Sequence, residues 1–139
     1  MPVKSNARKK KPSRQKTREL DVQIRFMEGI VQRDPKYVEA LQLLGDHYTQ
    51  RGRFAESLKV DEQLSQLDPR NPLTFYNLAC SYSLNDQCEL AAAALEKALR
   101  LGYTDFKWLA RDPDLRKLRK HPRFEQLQEM IRRLKLKAR

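Results

Sequence analysis

The sequence predicts an all-α protein built as a solenoid-like stack of helical hairpins, and three observations predict it. The pairs Asp34-Pro35 and Asp68-Pro69 stand 34 positions apart. The apolar positions take the same step, so that Leu41, Leu44, Gly45 and Tyr48 return as Phe75, Leu78, Ala79 and Tyr82. Within each copy the spacing is i, i+3, i+4, i+7, which marks one face of an α-helix. A fixed period of this size is the mark of a repeat architecture, in which each unit needs its neighbour to bury its apolar face. One unit runs over 38–71 and the next over 72–105.

Each element follows from local chemistry. Residues 1–18 hold few apolar side chains, Pro2, Pro12 and the run Arg8-Lys9-Lys10-Lys11. They cannot bury enough surface to offset their ordering entropy, which predicts a disordered basic arm. Residues 20–33 read as a helix with Ile24, Met27, Ile30 and Val31 inward, ending before Pro35 because a residue before proline avoids the α region. A helix over 37–51 follows, stopped by Gly52 as a left-handed cap. Residues 54–67 form the next helix, with Phe54, Leu58, Leu64 and Leu67 inward and Asp61 expected at solvent or against an arginine. Helices over 72–84 and 88–101 repeat the pair, the second carrying four consecutive alanines, Ala91 to Ala94. Asp34, Asn71 and Asp112 each precede a proline and read as N-caps with proline at the first helical position. A short helix over 106–110 bears Trp108 and Leu109. A further turn places Leu115 and Leu118 inward, and a final helix opens at Pro122 with Phe124, Leu127, Met130 or Ile131, and Leu134 inward.

These residues resemble the tetratricopeptide repeat (TPR) family. Leu41, Leu44, Gly45, Tyr48, Ser57 and Pro69 match its pattern in the first copy, and Phe75, Leu78, Ala79, Tyr82, Ala91, Leu95 and Ala98 match it in the second. Asp61, Leu64 and Tyr103 depart from it. The resemblance implies a right-handed α-solenoid of about seven to eight helices. Residues 19–35 would be a lone helix B, 38–71 and 72–105 two full repeats, and 106–139 a degenerate closing unit like that of small bacterial TPR proteins. Gly45 and Ala79 are small where helices A and B approach most closely, since a larger side chain there would overpack the contact.

The net charge of +11 is unevenly placed. Residues 1–18 carry eight basic and no acidic residues, 19–111 carry eleven basic and fourteen acidic, and 112–139 carry ten basic and four acidic. Basic ends on a mildly acidic body suggest attraction to nucleic acid or a ribosome, with Lys9, Lys10, Lys11, Arg14, Arg132, Arg133 and Lys135 as phosphate contacts. No aromatic residue interrupts the basic runs, so base stacking is not indicated. Cys80 and Cys88, eight apart, and His47 and His121 lack ligand spacing, so no metal and no cofactor are expected. The chain lacks the apolar core of a signal peptide and any membrane-length apolar run, which predicts a cytoplasmic protein, or a nuclear one if the basic run serves as an address in a eukaryote.

No phosphate loop, zinc-protease pattern or nucleophile elbow is present, so the chain is expected not to be an enzyme. The resemblance implies instead a protein- or peptide-binding scaffold whose groove is lined by the A helices. Its facing places hold Glu39, Gln42, Leu43, Asp46, Thr49 and Gln50, then Leu73, Tyr76, Asn77, Cys80, Ser83 and Leu84, then Lys107, Ala110 and Arg111. Asn77, Lys107 and Arg111 coincide with three places that clamp a peptide carboxylate in chaperone-binding relatives. Gln42 and Asp46 fill the other two, and Asp46 would repel an acidic peptide, which points to a mixed groove. Oligomeric state stays open, because the lone first helix leaves apolar surface that can pair with another copy.

Overall fold

The computed structural model describes residues 13–138, and these are helical throughout, with short turns and no strand among them. The order is α1 (Arg14–Arg33), α2 (Val38–Arg51), α3 (Phe54–Leu67), α4 (Pro72–Leu84), α5 (Cys88–Arg100), α6 (Phe106–Leu109), a 3₁₀ turn η1 (Pro113–Leu115), α7 (Arg116–Arg119) and α8 (Phe124–Lys137). Each of the first four helices packs on the next, α1 on α2, α2 on α3, α3 on α4 and α4 on α5, as a TPR-like stack requires.

The caps show how local chemistry sets the boundaries. Asn71 Oδ1 accepts from the Leu73 amide at 3.0 Å, with Pro72 opening α4. Gly52 closes α2 at φ 84°, a conformation that costs glycine nothing. One period later the same backbone turn is made by Asp86 at φ 62°, a position where a side chain is tolerated only at a cost.

Two expected boundaries are corrected. The first helix begins at Arg14, not Leu20, so residues 14–18 of the expected arm are helical; residues 1–12 lie outside the described residues. The Ser13 hydroxyl accepts from the Lys16 amide at 3.1 Å, and Arg, Gln and Lys in the first turn are good helix formers. Asp34-Pro35 does not open α2. The Asp34 amide still donates to the Ile30 carbonyl at 2.9 Å, so Asp34 closes α1. The chain then turns through Lys36, and α2 starts after Tyr37 without a side-chain cap.

The core lies in two clusters. Ile24, Met27, Leu41, Leu44, Val60 and Leu64 knit α1–α3, and a larger group around Tyr76, Ala79, Leu95, Leu99, Leu115, Leu118 and Leu127 joins α4 and α5 to the C-terminal elements. In α3 the most buried side chains are Ser57, Leu58, Val60, Asp61 and Leu64, while Phe54 and Leu67 are half-buried. Asp61 is buried at 1 % exposure, against the expectation of a solvent or arginine contact. It accepts from the Ser81 hydroxyl of α4, so the carboxylate is hydrogen-bonded rather than hydrated.

Where α2 meets α3, Gly45 is buried and its carbonyl accepts from the Ser57 hydroxyl at 3.0 Å and from Thr49 at 3.1 Å. The two hydroxyls lie 2.7 Å apart, so one can donate to the other in place of the carbonyl, and the three oxygens form one cluster. One period on, Ala79 and Ala91 hold the same places at 0 % exposure. Introducing leucine at Gly45 or Ala79 should therefore cost about 1–3 kcal/mol by overpacking, seen as a lower urea midpoint. Midpoints equal to that of the unaltered protein would contradict the close approach.

Candidate functional site

The A helices α2 and α4 carry most of the candidate groove, and the structure treats their faces differently. On α2, Glu39, Gln42 and Leu43 are exposed, Leu43 at 52 %, while Asp46 and Gln50 are half-buried. Asp46 accepts from Gln50 Nε2 at 2.9 Å, one turn apart on the helix. Thr49 is at 0 % exposure, turned into the α2–α3 contact, and so does not line an open groove.

On α4 the corresponding face is covered by the chain's own C-terminal segment. Tyr76, Cys80 and Ser83 are at 0 % exposure. The Tyr76 hydroxyl donates to Asp112 Oδ2 at 2.6 Å, and the Cys80 thiol donates to the same oxygen at 3.7 Å. The other Asp112 oxygen caps η1 by accepting from the Asp114 amide at 2.9 Å. The Tyr76 ring stacks on Tyr103 with centroids 4.2 Å apart. The Leu118 amide donates to the Ser83 hydroxyl at 3.3 Å. Tyr76 and Cys80 are thus groove candidates withdrawn from the groove. They hold the closing segment onto α4, and Asp112, read in the sequence only as an N-cap, is the residue that joins both tasks.

The rest of the candidate set is partly accessible. Asn77 is half-buried, and its Oδ1 is buried without a partner. Lys107 and Arg111 are exposed, and the Arg111 guanidinium lies 5.8 Å from the Trp108 ring centre, a cation–π contact. Of the phosphate candidates, Lys9, Lys10 and Lys11 lie outside the described residues. Arg14 is exposed at the start of α1. Arg132 and Arg133 both pair with Glu129, at 2.6 and 3.0 Å, which offsets part of their charge. Lys135 lies 5.9 Å from the centre of the Phe106 ring. An open groove of about 730 Å³ between α5 and α8 is lined by both signs, and its Arg100 is already paired with Glu96 at 2.7 Å.

The two phenols of α4, Tyr76 and the half-buried Tyr82, give this helix a pH signature. Burial first, then Cys80 and the Asp112 carboxylate, raise the Tyr76 phenol far above its ordinary range. Tyr82 is pushed up to about 12, by burial and then by its hydrogen bond to Glu62. A raised phenol pKa means that the fold holds the neutral form. Its contribution to stability is complete below the unfolded value of about 10 and is lost as pH climbs above it. Tyr76→Phe should cost about 1–3 kcal/mol near neutral pH by leaving Asp112 short of a donor. Its deficit against the unaltered protein should narrow in urea titrations above about pH 10. A deficit that stays constant or widens there would contradict this account of the lock.

No family model matches the chain. Several curated proteins are similar to parts of it. A protein of Arabidopsis thaliana described by its name as chloroplastic is 35% identical over 115 residues, covering 79% of this chain and 33% of that protein. The "Peroxisomal targeting signal receptor" of Komagataella phaffii is 38% identical over 91 residues, covering 63% of this chain and 16% of that protein. The chain thus spans about a third of the first relative's length and about a sixth of the second's. Its relatives include a protein that by its name is a receptor for a targeting signal.

Proposed function

We propose that the chain is a TPR-type protein-binding module without chemistry of its own, and that it takes an extended peptide against the uncovered face of α2 and the neighbouring edge of α4. The observation that carries this reading is the unequal covering of two equivalent helix faces. The closing segment occupies Tyr76 and Cys80 on α4, whereas their equivalents Gln42 and Asp46 on α2, with Leu43 between them, stay accessible. An apolar side chain between polar ones suits a ligand that contributes one apolar anchor and a hydrogen-bonding backbone. Asn77 supports the same reading, because its half-buried side-chain amide stands at this edge of α4 and can both donate to and accept from a peptide backbone. Lys107 and Arg111 would favour a peptide with an acidic or free carboxyl end, while Asp46 would disfavour acidic side chains at the α2 end. The relative named as a targeting-signal receptor supports a peptide partner in kind and leaves its sequence open.

Selection from a displayed library of short peptides on the full chain tests this reading. Enriched peptides should share one apolar position and should avoid acidic residues beside it. Leu43→Glu and Asn77→Ala should each weaken them about tenfold or more, equivalent to about 1.4 kcal/mol, with the helical circular dichroism kept. No enrichment, or enriched peptides that bind both variants unchanged, would reject the proposal.

A further inference from the structure

We propose that the outer face of α1 docks a second copy of this chain, the two α1 helices lying antiparallel about a two-fold axis at Phe26. This inference is independent of the peptide-binding reading, since it uses a different helix and a different face.

The internal repeat supplies the first reason. Phe26, Val60 and Ala94 are register equivalents, each 34 residues from the next. Val60 and Ala94 are both 7 % exposed, packed in the clusters that hold α2 and α4 respectively. Phe26 is 67 % exposed and Val22, one turn before it, is 58 % exposed. Gln23 is exposed too, where its equivalents Ser57 and Ala91 are at 1 % and 0 %. The places of Gln23 and Phe26, which an A helix covers in both full hairpins, are therefore uncovered on α1, and Val22, whose equivalents Glu56 and Leu90 are half-buried and exposed, widens the apolar patch beside them. Residues 1–12 are a poor source for that cover, since they hold five basic residues and only Met1, Val3 and Ala7 as apolar ones.

The second reason is self-complementarity. Residues equally distant from Phe26 along this face are chemical partners. Glu19 stands seven before it and Arg33 seven after. Val22 stands four before and Ile30 four after, and Gln23 three before and Gly29 three after. At about 100° per residue all of these fall within about 60° of Phe26 around the helix, while Leu20, Ile24 and Met27 face the core. In an antiparallel two-fold pair each residue meets its counterpart on the other copy. Glu19 then meets Arg33 twice, Val22 meets the exposed side of Ile30, which is half-buried against the α1–α3 cluster, twice, and Phe26 meets itself on the axis. Gln23 lies over Gly29, where even an added Cβ would have nothing within 4 Å, so the space is open. Glu19 and Arg33 are exposed and able to reach across. A parallel pair would instead set Glu19 on Glu19 and Arg33 on Arg33. The apolar centre supplies affinity, and the flanking charges fix direction. One helix pair is a small interface, so the dimer should be reversible and concentration-dependent.

Sedimentation equilibrium of the full chain from micromolar to millimolar concentration, at low salt, is the test. The unaltered protein should dimerise, and Phe26→Glu should weaken the dimer about tenfold or more. Because Phe26 is exposed, the helical circular dichroism of that variant should not change. Glu19→Arg and Arg33→Glu should each weaken self-association, because each copy then presents like charges at both ends of the face. A mixture of those two variants should associate more tightly than either alone, since every cross-pair is again opposite in sign, and added salt should erase the difference. A chain that stays monomeric throughout, a dimer indifferent to Phe26→Glu, or a mixture no tighter than its components would overturn the proposal. A monomer would mean that residues 1–12 or a different protein covers the face.

Discussion

Tyr48 donates to Glu28 and Tyr82 donates to Glu62, each reaching twenty residues back in the chain from an A helix to the B helix before it. Ser81 makes the same reach to Asp61. These bonds flank apolar contacts that no hairpin can complete alone, and they recur because the sequence recurs. The constraint beneath them is that a helix B in this stack has two faces to bury, one against its own helix A and one against the next. Every interior helix meets it with a neighbour. The buried Asp61 shows how strict the register is. Its carboxylate accepts from the Ser81 hydroxyl in the core, and a shift of one residue along either helix would remove that donor.

The two ends of the stack answer this constraint in different ways. At the C-terminal end the chain folds η1 and α7 back over α4, and α8 closes over α5. Asp112 anchors this closure by capping η1 with one oxygen and receiving Tyr76 with the other. Ion pairs from Lys117 to Asp86 and from Arg123 to Glu89 lie at the exposed rim, where they contribute little energy. The closure covers Tyr76 and Cys80 on α4, while Gln42, Leu43 and Asp46 on α2 stay accessible. At the N-terminal end α1 buries Leu20, Ile24 and Met27 against α2 and leaves Val22 and Phe26 in solvent. Among the described residues the stack is thus closed at its C-terminal end and leaves Val22 and Phe26 exposed on α1.

Much of this architecture was legible in the residues. The bounds of α3 and α4 follow from Gly52, Pro69 and Pro72 together with the 34-residue period, because those signals are local. Gly45 and Ala79 marked the close approach for the same reason. What was not legible depends on partners far along the chain. Thr49, Tyr76 and Cys80 occupy groove places by their position on a helix, yet Ser57 covers the first, and a segment more than thirty residues later covers the other two. Asp61 looked like a surface carboxylate until the twenty-residue step brought Ser81 to it, a step that the Tyr–Glu pairs carry in the sequence as well. The early start of α1 rested on Ser13 and a polar first turn, which a search for apolar periodicity passes over.

Native-state hydrogen exchange, resolved helix by helix, tests most directly whether stability here is passed from neighbour to neighbour. At low protein concentration, protection should be highest in α4 and α5, which lie in the larger core cluster and are covered on both sides. It should fall through α3 and α2 to a minimum in α1. Equal protection in all five helices, or greatest protection in α1, would contradict the account.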